Sequence, residues 1–299
     1  MRVVALGGGH GLAANLSALR TFVPDLTAIV TVADNGGSSG RLRRELGVLP
    51  PGDLREALAA LCRDDEWGRT WARVLQHRFE SAGELHHHAL GNLVLAALTD
   101  LRGGFAEALA EASRWLRVHG QVLPATLVPV RLCGRVDGRQ VEGQVAILTA
   151  TGRVESVWLE PREPAAVPAA VLAVRKADLV LLGPGSTFTS VVPNLLVPEL
   201  AAALTEASRL VYICNLEAQP GETSGFAPEA HLAANLDHCP GLRVATVLCQ
   251  RPADEAAAAR EVRSFAELRA AVVHAEVAAD DHPGRHDAGR LATALKELA

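Results

Sequence analysis

A doubly wound α/β fold, with a mostly parallel sheet and helices on both of its faces, is what this sequence predicts. Three observations lead there. From about residue 165 to 248, short apolar runs alternate with helical patterns, the order expected of strand–helix–strand units. The runs are apolar at successive positions, as in Leu179-Val180-Leu181-Leu182, which suits strands covered on both faces. Glycine-rich turns then end three of the runs, at residues 7–11, 34–40 and 183–185. Parallel strands would bring all three turns to one edge, where α/β proteins bind phosphate-bearing ligands.

Taken in order, residues 3–6 read as the first strand, 12–20 as the helix after it and 27–33 as the second strand, one βαβ unit. Pro50-Pro51-Gly52-Asp53 punctuates the chain, with Asp53 as the N-cap of a helix from Leu54. Residues 53–117 form a helical elaboration, because Ala57, Leu58 and Leu61, then Leu93, Ala97 and Leu98, then Phe105, Ala108, Leu109 and Ala112 recur at helical spacing. Residues 122–160 change to a small antiparallel section. Its strands fall at 127–132, 140–148 and 154–159, separated by the turn dipeptides Asp137-Gly138 and Thr151-Gly152. Alternation returns with a helix over 165–176, a strand at 179–182, a helix over 195–207, a strand at 210–214, a helix over 228–236 and a strand at 243–248. Residues 254–263 and 291–298 complete the chain as helices. No internal repeat or long low-complexity linker interrupts it, so residues 1–299 are expected to form a single domain.

The bulk composition excludes several classes. The hydrophobic fraction of 49% supports a sizeable core, while a charged fraction of 21% and a net charge of −5 leave no basic patch to capture nucleic acid. No apolar run approaches the roughly 20 residues that span a bilayer, and Met1-Arg2-Val3 enters a strand without signal-peptide architecture. A cytoplasmic protein with no membrane partner is the expectation. Cys62, Cys133, Cys214, Cys239 and Cys249 are odd in number and lack C-x-x-C spacing, which favours buried free thiols over disulfides or zinc.

The first glycine turn carries chemistry of its own. Gly9-x-Gly11-x-x-Ala14 fits the dinucleotide fingerprint of Rossmann-like folds, and Asp34 stands about 20 residues on, where a ribose hydroxyl is held. Asp34 is therefore either a ribose acceptor or a Mg2+ ligand, since a carboxylate beside phosphates needs one or the other between them. Gly183-Pro184-Gly185-Ser186 opens a hydroxyl-rich, helix-ready stretch, so the hydroxyls of Ser186, Thr187 and Thr189 are expected to donate to phosphate. Ser186 does not sit in a G-x-S-x-G elbow, which disfavours a serine hydrolase. After the strand ending at Cys214, the side chains of Asn215, Gln219, Glu222 and Thr223 gather in a short turn and can read a base or sugar edge. Arg55 is a candidate phosphate clamp. His86-His87-His88 lacks the i, i+4 partner that a helical metal site uses.

Together these strings resemble the YvcK-like gluconeogenesis-factor family, a branch of the superfamily that includes the 2-phospho-L-lactate transferase CofD. The resemblance rests on GGGHGL, TVADNGGSSGRLR, PPGDLR, HALGNL, VLPAT, LLGPGSTFTSVVPNLLVP and CNLEAQPGETSGF, and returns at Arg285-His286-Asp287. It implies a Rossmann-like sheet and a ligand site holding Gly8, Gly9, His10, Gly11 and Leu12 from the first motif. Asp34, Asn35, Gly37, Ser38, Ser39 and Gly40 come from the second, Asp53 from PPGDLR and Asn92 from HALGNL. Gly183, Pro184, Gly185, Ser186, Thr189 and Asn194 follow, then Asn215, Gln219, Glu222, Thr223 and Arg285. The resemblance further implies binding of UDP-sugars, a role in cell shape during gluconeogenic growth and a homo-oligomer. Four positions depart from the family pattern: His10 for Thr, Asn35 for Asp, Ala89 for Ser and Glu56 for Asn. The segment 251–277 also drifts. Because Asn35 removes one carboxylate, the expectation is a regulatory binding protein that requires no cofactor. A CofD-like transferase, with Mg2+, and an NAD-dependent oxidoreductase are the alternatives.

Overall fold

The computed structural model describes all 299 residues. The chain runs β1 (Arg2–Gly7), α1 (Gly9–Leu19), β2 (Asp25–Val30), α2 (Gly37–Leu46), α3 (Gly52–Leu61), α4 (Glu66–Gln76), α5 (Leu90–Arg102), α6 (Phe105–Leu116) and β3 (Gln121–Pro124). Then come β4 (Arg131–Val136), β5 (Arg139–Glu142), α7 (Gln144–Leu148) and β6 (Val154–Glu160). The remainder is α8 (Pro168–Lys176), β7 (Leu179–Leu182), a π-helical turn (Thr187–Val191), α9 (Val192–Leu195), α10 (Pro198–Thr205), β8 (Leu210–Ile213), α11 (Pro228–His238), β9 (Thr246–Gln250), α12 (Glu255–Glu267), β10 (Ala271–Ala275) and α13 (Ala288–Leu298).

Seven strands form one sheet in the order β10-β9-β8-β7-β1-β2-β3, and every neighbouring pair is parallel. Strands β1, β7 and β8 are buried along almost their whole length, as two-sided coverage requires. From β1 the chain winds outward through β2 to β3, and from β7 it winds the other way to β10. The strand order therefore reverses between β1 and β7, which opens a crevice beyond their carboxyl ends. The helical elaboration, α2 to α6, lies between the adjacent strands β2 and β3 in sequence. The antiparallel sheet has the order β5-β4-β6.

Several local expectations are corrected. Asp53 does not cap its helix: α3 starts two residues earlier than expected, at Gly52, Pro51 occupies the N-cap, and Asp53 sits in the first turn. Residues 140–148 are not one strand, because Gly143 at φ 97° breaks the extended run and Gln144–Leu148 closes into a helix. The helix expected over 195–207 is split, since Pro193 and Pro198 each stand at a helix start. β2 stops at Val30 rather than Ala33. The strand Ala271–Ala275 falls in the segment that departs from the family pattern and pairs at the sheet edge with β9. All five cysteines are free and buried.

Candidate functional site

A cleft of about 940 Å³ occupies the crevice between β1 and β7. Its floor begins where β1 ends. Gly8 is extended at the N-cap of α1 and supplies no capping side chain, so the first-turn N–H groups of that helix have no intrahelical acceptor. Gly9, His10 and Gly11 carry this turn along the cleft wall. The turn after β7 packs directly on it: a Cβ at Gly11 would stand 2.4 Å from the Pro184 carbonyl oxygen and 2.8 Å from Gly185 Cα. Only glycine lets these two loops touch. The first and third glycine turns thus meet on one edge of the sheet. Leu12 lies beneath them in the core.

The Pro184–Ser186 turn is fixed from the far side by β8 and the loop after it. Asn215 Oδ1 accepts the Gly185 N–H at 3.0 Å while Asn215 Nδ2 donates to the Gly185 carbonyl at 2.9 Å. Ser186 Oγ donates to Gln219 Oε1 at 2.8 Å, and Thr223 Oγ1 accepts the Gln219 N–H at 2.8 Å. The Glu222 carboxylate accepts the N–H of Phe188 and that of Thr189, the latter at 2.9 Å. Burial pushes Glu222 up to about 7 despite these donors. Backbone donors assigned to phosphate at this turn are therefore taken by Glu222 and Asn215, from within the protein. Thr187 and Thr189 do not reach the cleft: both are buried, and Thr187 Oγ1 bonds His231 Nδ1 at 2.7 Å. The first turn of α1, unlike the segment after β7, presents backbone N–H groups to the cleft, and the Asp53 carboxylate faces the Gly9 N–H there.

Carboxylates form the opposite wall. Asp34, Asp53 and Glu56 all line the cleft. Asp34 Oδ1 accepts the Gly36 N–H at 2.8 Å. A Cβ on Gly8 would be 2.4 Å from Asp53 Oδ2, which places that carboxylate directly beneath the first glycine turn. Asp53 Oδ2 and Glu56 Oε2 are shut from solvent and have no hydrogen-bond partner in the protein. Desolvation first, then the charges of Asp34 and Glu56, push the Asp53 carboxyl well above the usual range. Desolvation and Glu56 push Asp34 up as well. Arg55 is not a phosphate clamp: it is 1% exposed and donates inward, to Glu56 Oε1 at 2.9 Å and to Gln76 Oε1.

Asn35 does not face this wall. Its Oδ1 accepts the Val145 N–H at 3.2 Å, tying the second glycine loop to α7. The expectation that its amide removes a cation ligand thus loses its ground. Asp34 stands four residues beyond the end of β2, with Oδ1 engaged by its own loop, and lines the cleft. The rest of that loop is structural. Gly37 and Gly40 sit in the first turn of α2, Ser39 Oγ accepts the Gly52 N–H at 3.0 Å, and Ser38 Oγ bonds Asn92 Nδ2 at 3.0 Å and His88 Nδ1 at 2.9 Å. His88 lies outside any helix, so the histidine triplet is a turn locked to α2. Asn194 Nδ2 donates to the Gly7 carbonyl at 3.3 Å, and Asn15 Nδ2 donates to that of Gly183 at 3.2 Å, so these amides brace the two glycine turns from behind.

Sequence reading missed part of the lining. Gln76 comes from α4 and Gln144 from α7, and neither belongs to a motif that marks it. Glu56 signals itself only by departing from the family pattern. Arg285 does reach the cleft, with Asp281, His286 and Asp287 of the segment before α13. Burial lowers His286 to about 4, so it is neutral at physiological pH.

This architecture has known counterparts. Residues 3–288 match the family described as 2-phospho-L-lactate transferase CofD. A Mycobacterium tuberculosis relative bearing the gluconeogenesis-factor name is 49% identical over 98% of this chain and 89% of its own. The chain belongs to the gluconeogenesis-factor branch of the CofD family. The Bacillus subtilis gluconeogenesis factor is 44% identical over 79% of this chain and 74% of its own. A crystal structure of a Bacillus halodurans protein superimposes with a TM-score of 0.90 at 39% identity, over 99% of each chain. No single helix in this gluconeogenesis-factor fold is long and apolar enough to cross a membrane.

Proposed function

We propose that this chain is a nucleotide-sugar-binding regulatory protein, with a UDP-sugar diphosphate at the N-terminus of α1. The observation that carries the reading is the uncapped first turn of that helix, set in the crevice where the strand order reverses. Asn215 is held by the Gly185 backbone, so the Nε2 end of Gln219 and the Arg285 guanidinium are the lining groups suited to a base or sugar edge. Ser186 gives its proton to Gln219 rather than to a base, so Ser186 is not itself an activated nucleophile. The cellular role that goes with this reading is maintenance of cell shape during gluconeogenic growth, in the cytoplasm.

A specific feature favours a second reading, the CofD-like transferase. Asp34, Asp53 and Glu56 bring hard oxygen donors to the cleft, with Asp53 Oδ2 and Glu56 Oε2 buried and without a hydrogen bond. The three do not form a ready-made metal cage, so a divalent cation such as Mg2+ would need phosphate oxygens of the ligand to complete its shell. When bound there, Mg2+ would offset the repulsion between these carboxylates and the phosphates of a ligand. The chain's own contribution is to hold the carboxylates beneath Gly8 and the diphosphate at α1. Titration calorimetry with UDP-N-acetylglucosamine, GDP and NAD, each with Mg2+ and with EDTA, separates the readings. The binding-protein reading requires UDP-N-acetylglucosamine to bind tightest without turnover. Tighter, Mg2+-dependent binding of GDP would replace it with the transferase, and tighter binding of NAD with the oxidoreductase.

A further inference from the structure

Three of the four tryptophans of the chain, Trp67, Trp71 and Trp115, gather around a second cavity, of about 300 Å³, between α4, α5 and α6. All eight residues that line it are hydrophobic. It is deep rather than flat. Leu75, Leu95, Ala112 and Leu116 form a floor no more than 4% exposed, whereas Trp67 and Trp115 stand 44% and 51% exposed at the mouth. Helix α4 repeats Trp67, Trp71 and Leu75 every fourth residue, so one stripe of it faces this cavity. Ala72 and Gln76, one step around the helix, face the cleft instead.

A hollow with no polar lining cannot orient a polar ligand, because ligand sites fix polar groups through a few convergent donors and acceptors. Water gains nothing there either, since a buried water needs two or more polar partners. At the roughly 30 Å³ that a water-sized group takes in a liquid, the space accepts on the order of ten heavy atoms. A buried aliphatic floor of Leu75, Leu95 and Leu116 under a rim of tryptophan rings suits one linear apolar chain.

The mouth also carries charge. The Arg117 guanidinium lies 5.5 Å from the centre of the Trp67 ring and forms no ion pair. Acids nearby are mostly engaged: Asp64 pairs with Arg69 at 3.0 Å, Asp65 accepts the Gly68 N–H at 2.7 Å, and Glu111 holds both Arg102 and Arg114. Glu66 is the one acid of this stretch without such a partner, and it precedes Trp67.

We propose that the three-tryptophan cavity is a binding site for a small amphiphile, a single apolar chain of about ten carbons whose anionic head meets Arg117. The chain buries against Trp71, Leu75, Leu95 and Leu116, and the carboxylate-type head stays at the rim, where a charge-assisted contact with the guanidinium is partly solvated.

Intrinsic tryptophan fluorescence and calorimetry of the full chain test this with sodium decanoate, decanol and decyltrimethylammonium as probes. Decanoate should bind saturably, with a stoichiometry of about one, and more tightly than the cationic probe. Ala112→Phe, which fills the cavity, should abolish binding. Because a larger core side chain can disturb folding, Arg117→Glu provides the second variant. It lies at an exposed position and should weaken decanoate about five- to tenfold, with decanol unchanged. Absence of saturable binding by the wild type would overturn the proposal, and so would equal affinity for the cationic probe. A decanoate response that proves on sedimentation to be dissociation of a dimer would also overturn it, by assigning the cavity to a second copy of the chain.

Discussion

Gly11→Ala is the sharpest test of how the cleft is built. The new methyl would sit 2.4 Å from the Pro184 carbonyl oxygen, 2.7 Å from its carbon and 2.8 Å from Gly185 Cα. All three are backbone atoms of a turn held by Asn215, so no flexible side chain can give way. Relief requires the β7 turn to move off α1 by the better part of an ångström. Overpacking of this kind costs about 1–3 kcal/mol, and at about 2–4 °C per kcal/mol for chains of a few hundred residues the melting temperature should fall by roughly 2–12 °C. Gly83→Ala is the matched control, because nothing lies within 4 Å of a Cβ there. Differential scanning calorimetry gives the stability, and titration with UDP-N-acetylglucosamine gives the site, where a displaced turn should weaken binding at least tenfold, about 1.4 kcal/mol. A Gly11→Ala protein that melts and binds like the wild type would refute the claim that close contact of the two turns shapes the cleft.

Three further outcomes are expected. Glu222 carries a carboxyl raised to about 7 in the fold. The folded state therefore binds the extra proton, and this contribution to stability is full below the unfolded value of about 4.3 and lost as pH rises through 7. The loss is about 3 kcal/mol, and Glu222→Gln should remove that slope in urea unfolding compared at pH 5 and pH 8. Asn215→Ala leaves the Gly185 N–H and carbonyl without their partner, so a loss of about 1–3 kcal/mol is expected in the same assay. Asp53→Asn removes a carboxylate that its surroundings disfavour when charged, so in EDTA at pH 8 it should melt higher than the wild type; if Mg2+ strengthens nucleotide binding, calorimetry should show that gain reduced in the variant.

Much of the fold is legible in the sequence because its signals are local. Apolar runs such as Leu179–Leu182 can hardly be anything but covered strands, and glycines clustered at their ends mark the edge where loops gather. That the first and third turns lie on one edge follows from parallel strands alone, since a shared direction puts their carboxyl ends together; that they touch follows from β1 and β7 being neighbours, which the topology decides. What the sequence leaves open is which groups are already engaged. Thr187, Thr189 and Glu222 look like ligand donors in a linear reading, but each finds a partner or a buried position that only packing decides. Asn35 and Asp34 are neighbours in the chain and turn to different walls, one to α7 and one to the cleft. Gln76 and Gln144 join the site from elements that are remote in sequence. Periodicity and turn chemistry act over a few residues, so sequence alone determined the central strands, the glycine turns and the family, while the edge strands Gln121–Pro124 and Ala271–Ala275 emerged only from the sheet. Hydrogen-bond partnership and burial depend on segments far apart in the chain, so only the tertiary structure decided that the donors after β7 are taken from within the protein and that Asp34, Asp53 and Glu56 share the cleft with the first turn of α1.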